Sequence, residues 1–166
     1  MPDRRTLQRA RRDKREGKSP GTQAGEFVRE EMDHVRAGKH GARSPQQAIA
    51  IGLSKARRAG VKLPPPRKGL SSETTRHKAA RDLEAGRHAK QPVSAKRSRA
   101  VSSALGREGH QAASPGALAA HARTAARKHT RAERSAAAQR AVRTKGPAVR
   151  KAAARKAART RARRRT

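Results

Sequence analysis

Histidine and carboxylate side chains are the residues of this 166-residue sequence best suited to acid–base chemistry or metal binding, because cysteine is absent. No two of the seven histidines flank a glutamate in the spacing of the zinc-binding pattern HExxH. Glu30 and His34 stand one helical turn apart, which suits either a base with its orienting partner or an exposed ion pair, and we favour the ion pair. The segment 38–41 (Gly-Lys-His-Gly) is too short for a phosphate-binding loop. The sequence therefore predicts no catalytic residue, no cofactor, no metal site and no enzyme.

Basic side chains are the second chemically active group, and they dominate the sequence. Lysine and arginine number 44 against 12 aspartates and glutamates, which gives a formal charge of +32. Residues 1–70 hold 18 basic and 7 acidic side chains, whereas residues 71–166 hold 26 and 5. Residues 134–166 hold 13 basic side chains and no acidic one. We expect such a polycation to bind a polyanion.

The composition favours duplex DNA, bound through its phosphates with little sequence preference. Arginine outnumbers lysine, which favours bidentate phosphate contacts and insertion into the minor groove. The single phenylalanine and the absence of tyrosine and tryptophan argue against base stacking, and so against a reader of single strands. We predict a non-enzymatic, histone-like function. Two alternatives stay open: an RNA- or ribosome-associated basic protein, and a plasmid-maintenance or protein-interaction module.

The candidate phosphate contacts fall into two groups, one on a predicted helix in the first half of the chain and one at its end. The first group comprises Lys55, Arg57, Arg58 and Lys62. The second group comprises Arg155, Lys156, Arg159, Arg161, Arg163, Arg164 and Arg165. Each is expected to contact a phosphate and not a base edge.

Large apolar residues are scarce, and they are densest between positions 27 and 63. Leu, Ile, Val and Phe total 17, about a tenth of the chain, where a foldable domain is expected to have roughly a fifth. A compact globule over the whole chain is therefore not expected. No apolar run approaches the roughly 18 residues of a membrane span, and the charged N-terminus lacks the apolar stretch of a secretory signal.

Residues 20–66 have the clearest helical pattern. Thr22 is a predicted N-cap of a helix that runs to about Ala37, with Phe27 and Met32 on one apolar stripe and Gly38 after its end. A second helix is predicted to begin at Ser44 and Pro45, with Gln47 completing a capping box.

The predicted second helix ends at Gly60, and Pro64-Pro65-Pro66 prevents its continuation. Gly52 lies inside it at a cost of roughly 1 kcal/mol relative to alanine, so we place Gly52 where the two helices cross. A two-helix hairpin of this size is marginal by itself. We expect it to form a homodimer, to gain a third helix from the N-terminal arm, or to be stabilised by its ligand.

The segment Ser44–Gly60, with its core A-I-A-I-G-L-S-K-A-R-R-A-G, resembles a family of small basic bacterial proteins of unknown function. Some members of that family are labelled DNA-binding or plasmid stabilisation proteins. The resemblance covers about residues 20–64, and the labels of those members imply DNA binding. From the polycationic composition we expect a cytoplasmic protein of the bacterial nucleoid. The tail is similar in composition to linker-histone tails and to histone-like proteins of bacteria.

The remaining segments are predicted to lack a core. The basic arm, residues 1–19, would form a fraying helix between Asp3 and Gly17. Residues 67–133 form a linker, and residues 134–166 form a polycationic tail. Helices predicted in this half span residues 73–85, 95–105, 115–142 and 148–165, and would form when phosphates neutralise the cations. The predicted fold class is all-α: a two-helix hairpin with a basic arm and a largely disordered or conditionally helical tail.

Overall fold

The structure is a computed structural model that describes residues 2–88 and 94–163. Within these ranges it is all-helical, as the sequence predicts. The helices are α1 (Arg4–Arg15), α2 (Pro20–Arg36), α3 (Pro45–Arg58), α4 (Glu73–Ala85), α5 (Ala95–Gly106), α6 (Pro115–Arg127) and α7 (Arg131–Arg163), with a short 3-10 turn at Gln111–Ala113. Two compact units contain residues 1–121 and 122–166. No helix among the described residues is long and apolar enough to cross a membrane.

Local capping signals set most helix boundaries, as predicted. The Ser44 side chain accepts a hydrogen bond from the Gln47 backbone N–H at the start of α3. The Gln47 side chain accepts from the backbone N–H of Arg43, one residue earlier than a capping box would place it. Gly38 and Gly60 adopt positive φ angles of 70° and 89° after α2 and α3, a conformation in which glycine carries no Cβ penalty.

Two predicted boundaries are wrong because stronger local signals lie nearby. Helix α2 begins at Pro20 and not after Thr22, since the Ser19 side chain accepts from the Thr22 backbone N–H and Pro20 occupies the first turn. The helix predicted over 115–142 is interrupted, because Thr130 and Glu133 form a reciprocal capping box that begins α7.

The unit formed by residues 1–121 is not a two-helix hairpin. Helix α1 packs on α2, and α4 packs on α3. Leu7 and Ala10 join a core cluster with Phe27, Ala56 and Val61. The arm was predicted to fray because it has one large apolar residue. It nevertheless docks, because its inner face consists of small or hydrogen-bonding side chains that need little space.

A second core cluster reaches beyond the predicted module. Met32, Val35 and Ala48 pack against Ala112 and Ala113 of the 3-10 turn. Arg36 Nε donates to the carbonyl oxygen of Ala113 at 3.0 Å. The segment predicted to be a linker therefore contributes two alanines to the core. Their burial could not be predicted, because alanine occurs both in cores and on surfaces.

Helices α2 and α3 cross at Gly52, as the sequence predicts. A Cβ atom placed on Gly52 would lie 2.7 Å from Val28 Cα and 2.9 Å from Val28 N. These distances are shorter than any ordinary contact, so the absence of a side chain lets the two backbones approach.

The tail is helical, which corrects the expectation of a largely disordered segment. Gly146, whose φ of 65° and ψ of 168° lie outside the helical region, divides α7 at a kink into two helical segments, and Pro147 follows it. Alanine has the highest helix propensity, and each segment of α7 is about as long as the roughly 12–15 residues below which isolated helices are marginal. The charge repulsion that we expected to unfold this segment is outweighed by propensity.

Candidate nucleic-acid interface

Acidic side chains in the unit of residues 1–121 are largely turned inward or paired. Asp13 is buried and accepts from Lys18 Nζ at 2.8 Å. Glu31 is fully buried and accepts from Lys55 Nζ. Asp82 is buried and accepts from Arg58 Nε at 2.7 Å. Each of these three buried carboxylates is paired with its own cation, so none of them lies exposed beside the other cations of the surface.

Helix α1 carries a fixed cationic face. Its opposite face, with Thr6, Ala10 and Asp13, is buried against the rest of the unit. Arg9 is half-buried and pairs with Glu26 of α2, which fixes the register of the two helices. The exposed cations are Arg4, Arg5, Arg11, Arg12, Lys14 and Arg15. The sequence shows these charges, but only the docking of α1 reveals that they share a surface.

The four candidates on and after α3 occupy different environments. Lys55 is half-buried and donates to Glu31. Arg57 is buried, and its guanidinium donates to the carbonyl oxygens of Leu63 at 3.1 Å and Pro64 at 3.3 Å. Arg58 is exposed while its Nε binds Asp82, and Lys62 is exposed. Lys55 and Arg57 therefore have intramolecular partners that Lys62 does not share.

Desolvation is the larger of two influences on the pKa of the Arg57 guanidinium. Burial lowers the pKa of its guanidinium, and the negative charge of Asp82 acts in the opposite direction. The hydrogen bonds from Arg57 hold the chain that follows α3 against the helix, so its role in the fold is to anchor the start of the proline run.

Replacing Arg57 and Lys62 separately will distinguish an anchor from a phosphate contact. We expect Arg57→Gln to lower the stability by about 1–3 kcal/mol, because the hydrogen bonds from the charged guanidinium to the carbonyl oxygens of Leu63 and Pro64 are lost. The salt dependence of DNA binding should stay unchanged. Lys62→Gln should leave the melting temperature unchanged and reduce the salt slope by about 0.9. Thermal melting and fluorescence anisotropy across a salt series measure both quantities; the reverse pattern would contradict the assignment.

The tail candidates all lie on α7 or just beyond it. Arg155, Lys156, Arg159, Arg161 and Arg163 are exposed, whereas Arg164 and Arg165 lie outside the described residues. Basic side chains and alanines share one side of this helix, at Ala148, Lys151, Ala152, Arg155, Lys156 and Arg159. The helix thus presents cations at a fixed rise of about 1.5 Å per residue.

The single acid of α7 lies at its first turn. Glu133 accepts from the backbone N–H of Thr130 at 2.8 Å and from its hydroxyl at 3.3 Å. These hydrogen bonds lower the pKa of Glu133, the backbone donor being the larger cause. Its charge is therefore used in capping the helix, while the rest of α7 carries only cations among its ionisable groups.

A cluster of carboxylates and histidines at the end of α2 escaped the sequence analysis. Glu30 and His34, predicted to form an exposed ion pair, are largely buried; 4% of the surface of Glu30 is exposed. Glu31 and His40 lie beside them. The spacing matches no metal motif, because His40 comes from the loop after α2 and is brought back by the fold. The sequence signal that could have indicated this cluster is the pair of adjacent glutamates, Glu30 and Glu31, with His34 and His40 close after them.

Comparison with known proteins gives one match. A family of unknown function (DUF6496) matches residues 11–68. The matched range contains α2, α3 and the end of α1, so the chain is similar to this family over the part that includes the α2–α3 crossing. This agrees with the resemblance to a family of unknown function. No curated protein and no solved structure matches the chain.

Proposed function

We propose that this protein binds duplex DNA without catalysis and largely without sequence preference, through phosphate contacts from two cationic helices. The observation that carries the proposal is the segregation of charge: most carboxylates of the first unit are buried or paired, while the outer face of α1 is arginine-rich. A rigid cationic face costs less conformational entropy on binding than a flexible arm does.

The α1 face supplies the preorganised part of the proposed interface. Its exposed residues lie on a helix whose inner face is held by the core, so their Cα positions are set before DNA arrives. Arginine suits this role, because its guanidinium donates in a planar fork that matches phosphate oxygens.

Helix α7 supplies the proposed second contact. Its cations lie on a helix that contains no acidic residue after Glu133, so they are available to phosphates. Arginine side chains of this kind are suited to phosphate contacts and to the minor groove, where binding depends on shape and charge. Lys62 and Arg58 are the candidates of the α3 group that remain exposed, and they complete the proposed set.

Neutralising the α1 face tests the proposal. We expect the variant with Arg4, Arg5, Arg11 and Arg15 replaced by glutamine to bind duplex DNA more weakly at 100 mM salt. Its salt slope should be smaller by about three to four units, because each lost phosphate contact removes about 0.9. Anisotropy of a labelled random-sequence duplex, recorded between 50 and 300 mM salt, measures both.

The matched control removes the same charge elsewhere. Arg67, Lys68, Lys78 and Arg81 are exposed cations outside α1 and α7. Their replacement by glutamine should change the slope by less than about one unit. Equal losses in the two variants would mean that only total charge matters. A structured RNA that outcompetes the duplex at equal salt would instead support the RNA-associated alternative.

A further inference from the structure

The ring of His40 is held in a defined protonation pattern. Its Nδ1 lies 3.0 Å from the carbonyl oxygen of Gly41, and a carbonyl can only accept, so Nδ1 carries the hydrogen. In the neutral ring, Nε2 then carries a lone pair and no hydrogen, so it is an acceptor. This Nε2 lies 3.4 Å from Glu31 Oε2, which is also an acceptor. Two acceptors that face each other require a positive charge between them or a proton on the ring.

The buried carboxylate of Glu31 is only half satisfied. One oxygen, Oε1, accepts from Lys55, while Oε2 is buried without a hydrogen-bond partner. The residue has 0% of its surface exposed. Leaving a carboxylate oxygen unpaired in such a place costs free energy, so the position of Oε2 is explained if it binds a ligand.

His34 completes the arrangement from α2. Its Nδ1 lies 3.7 Å from Glu31 Oε1, and its Nε2 is buried without a hydrogen-bond partner. The same Nε2 lies 3.6 Å from Asp3 Oδ2 and 4.0 Å from Glu30 Oε1. Negative charge therefore surrounds this ring, and Lys55 is the one cation bonded to Glu31 among the described residues.

The separation of Glu31 and His40 fits a small metal ion. One ligand atom from each of Glu31, His34 and His40 can be chosen so that all three lie within 4.8 Å of one another. Ligands about 2.0–2.1 Å from a tetrahedral zinc ion are about 3.3 Å apart, close to the 3.4 Å that separates Glu31 Oε2 from His40 Nε2. Imidazole with carboxylate is a donor set that zinc prefers, and the Gly41 carbonyl orients His40 as outer partners of metal-bound histidines do.

We propose that Glu31, His34 and His40 form a binding site for one divalent transition-metal ion of the zinc type, with water at the remaining position. The site joins the end of α2 to the loop before α3. That loop is itself held by the last turn of α5 and the residues after it, because the Gly41 N–H donates to the carbonyl oxygen of Leu105 and the Ala42 N–H donates to that of Gly109, each at 2.9 Å. The bound metal would therefore stabilise the second core cluster.

Zinc titration of the full chain tests the site. After chelator treatment and removal of any histidine tag, calorimetry should give one zinc per chain with a micromolar or lower Kd, and saturating zinc should raise the melting temperature. His40→Gln should weaken binding at least tenfold and abolish that rise. His129→Gln is the matched control, because His129 is exposed and pairs with Glu133 outside the cluster; it should bind zinc like the unaltered protein.

Cobalt substitution gives a readout that does not depend on a variant folding. Co²⁺ bound to the unaltered protein should show the intense visible absorption of a four-coordinate site. The weak spectrum of hexaaquo-like cobalt, a Kd above about 1 mM, or an unchanged zinc affinity in His40→Gln would each overturn the proposal. So would an NMR spectrum in which zinc leaves the His34 and His40 ring resonances unmoved.

Discussion

Replacing six cations of α7 by glutamine will reduce the affinity for duplex DNA by about a thousandfold at low salt and flatten its salt dependence. The six are Arg150, Lys151, Arg155, Lys156, Arg159 and Arg161. If each contacts a phosphate, their loss removes about 0.9 from the slope apiece, or about five units in total. Glutamine propagates helix nearly as well as arginine and lysine, so α7 should keep its conformation.

The physical basis is counterion release. A duplex carries a condensed layer of cations, and each phosphate that a protein neutralises returns ions to solution, which is favourable when salt is dilute. Residues 134–166 hold no acid, so no neighbouring carboxylate competes with DNA for these side chains. The expected change therefore arises almost wholly from electrostatics.

A control with unchanged charge separates this effect from altered helix composition. Replacing Ala136, Ala137, Ala138, Ala152, Ala153 and Ala154 by glutamine adds the same residue type to the same helix and keeps every cation. Its slope and affinity should match the unaltered protein. Retention of both affinity and slope by the six-cation variant would show that α7 is not the electrostatic anchor.

The second large effect concerns the fold: Gly52→Leu will abolish cooperative unfolding of residues 1–121. Leucine is the better helix former, so propensity alone predicts a gain of somewhat under 1 kcal/mol. The Cβ would however lie 2.7 Å from Val28 Cα, and backbone atoms cannot move aside as the end of a flexible side chain can. Overpacking typically costs about 1–3 kcal/mol, and here α2 and α3 must separate, which opens both core clusters.

Two glycines outside the crossing provide controls. Gly25 is an exposed residue of α2, and a Cβ there would meet nothing within 4 Å. Gly25→Ala should therefore stabilise the protein by about 1 kcal/mol. A Cβ on Gly106, at the end of α5, also meets nothing within 4 Å, so Gly106→Leu should have almost no effect.

Thermal melting followed by circular dichroism at 222 nm measures these changes, and hydrogen exchange of α2 and α3 amides locates them. Gly52→Ala tests the same contact with a smaller side chain, because its single methyl group already meets the Val28 backbone. A Gly52→Leu protein that melts at or above the temperature of the unaltered chain would show that the helices do not pack closely at this point.

The proposal of a metal site and the proposal of a DNA interface can each be wrong without affecting the other. The metal ligands are buried beside the loop before α3, whereas the DNA contacts are exposed on α1 and α7. A protein that binds DNA but no zinc, or zinc but no DNA, would leave one of the two proposals standing. If His40→Gln lowered the melting temperature only in the presence of zinc, the metal would be assigned a structural role.

Local sequence by itself determined where most helices begin and end. Ser44 with Pro45, and Gly38 and Gly60 after their helices, act within four residues of the backbone groups that they satisfy. Such signals can be read without knowing the fold, and they also predicted α4 from Ser72 to Gly86. Gly52 was recognised as a crossing point because glycine lowers the stability of a helix interior, which is expected only where another backbone packs too closely for a side chain.

The apolar stripe of α2 could be predicted, and Phe27 and Met32 are buried as expected, but tertiary structure alone decided which face of α1 is buried and which charges are paired. Lys55 finds Glu31 across 24 positions of sequence, and Arg36 finds the Ala113 carbonyl across 77. The docking of α1 depends on small inner residues, whose types indicate burial less clearly than leucine or valine would. His40 reaches Glu31 only because its loop is pinned by residues beyond position 104. Contacts of this range depend on packing between distant segments, which residue spacing within one helix does not encode.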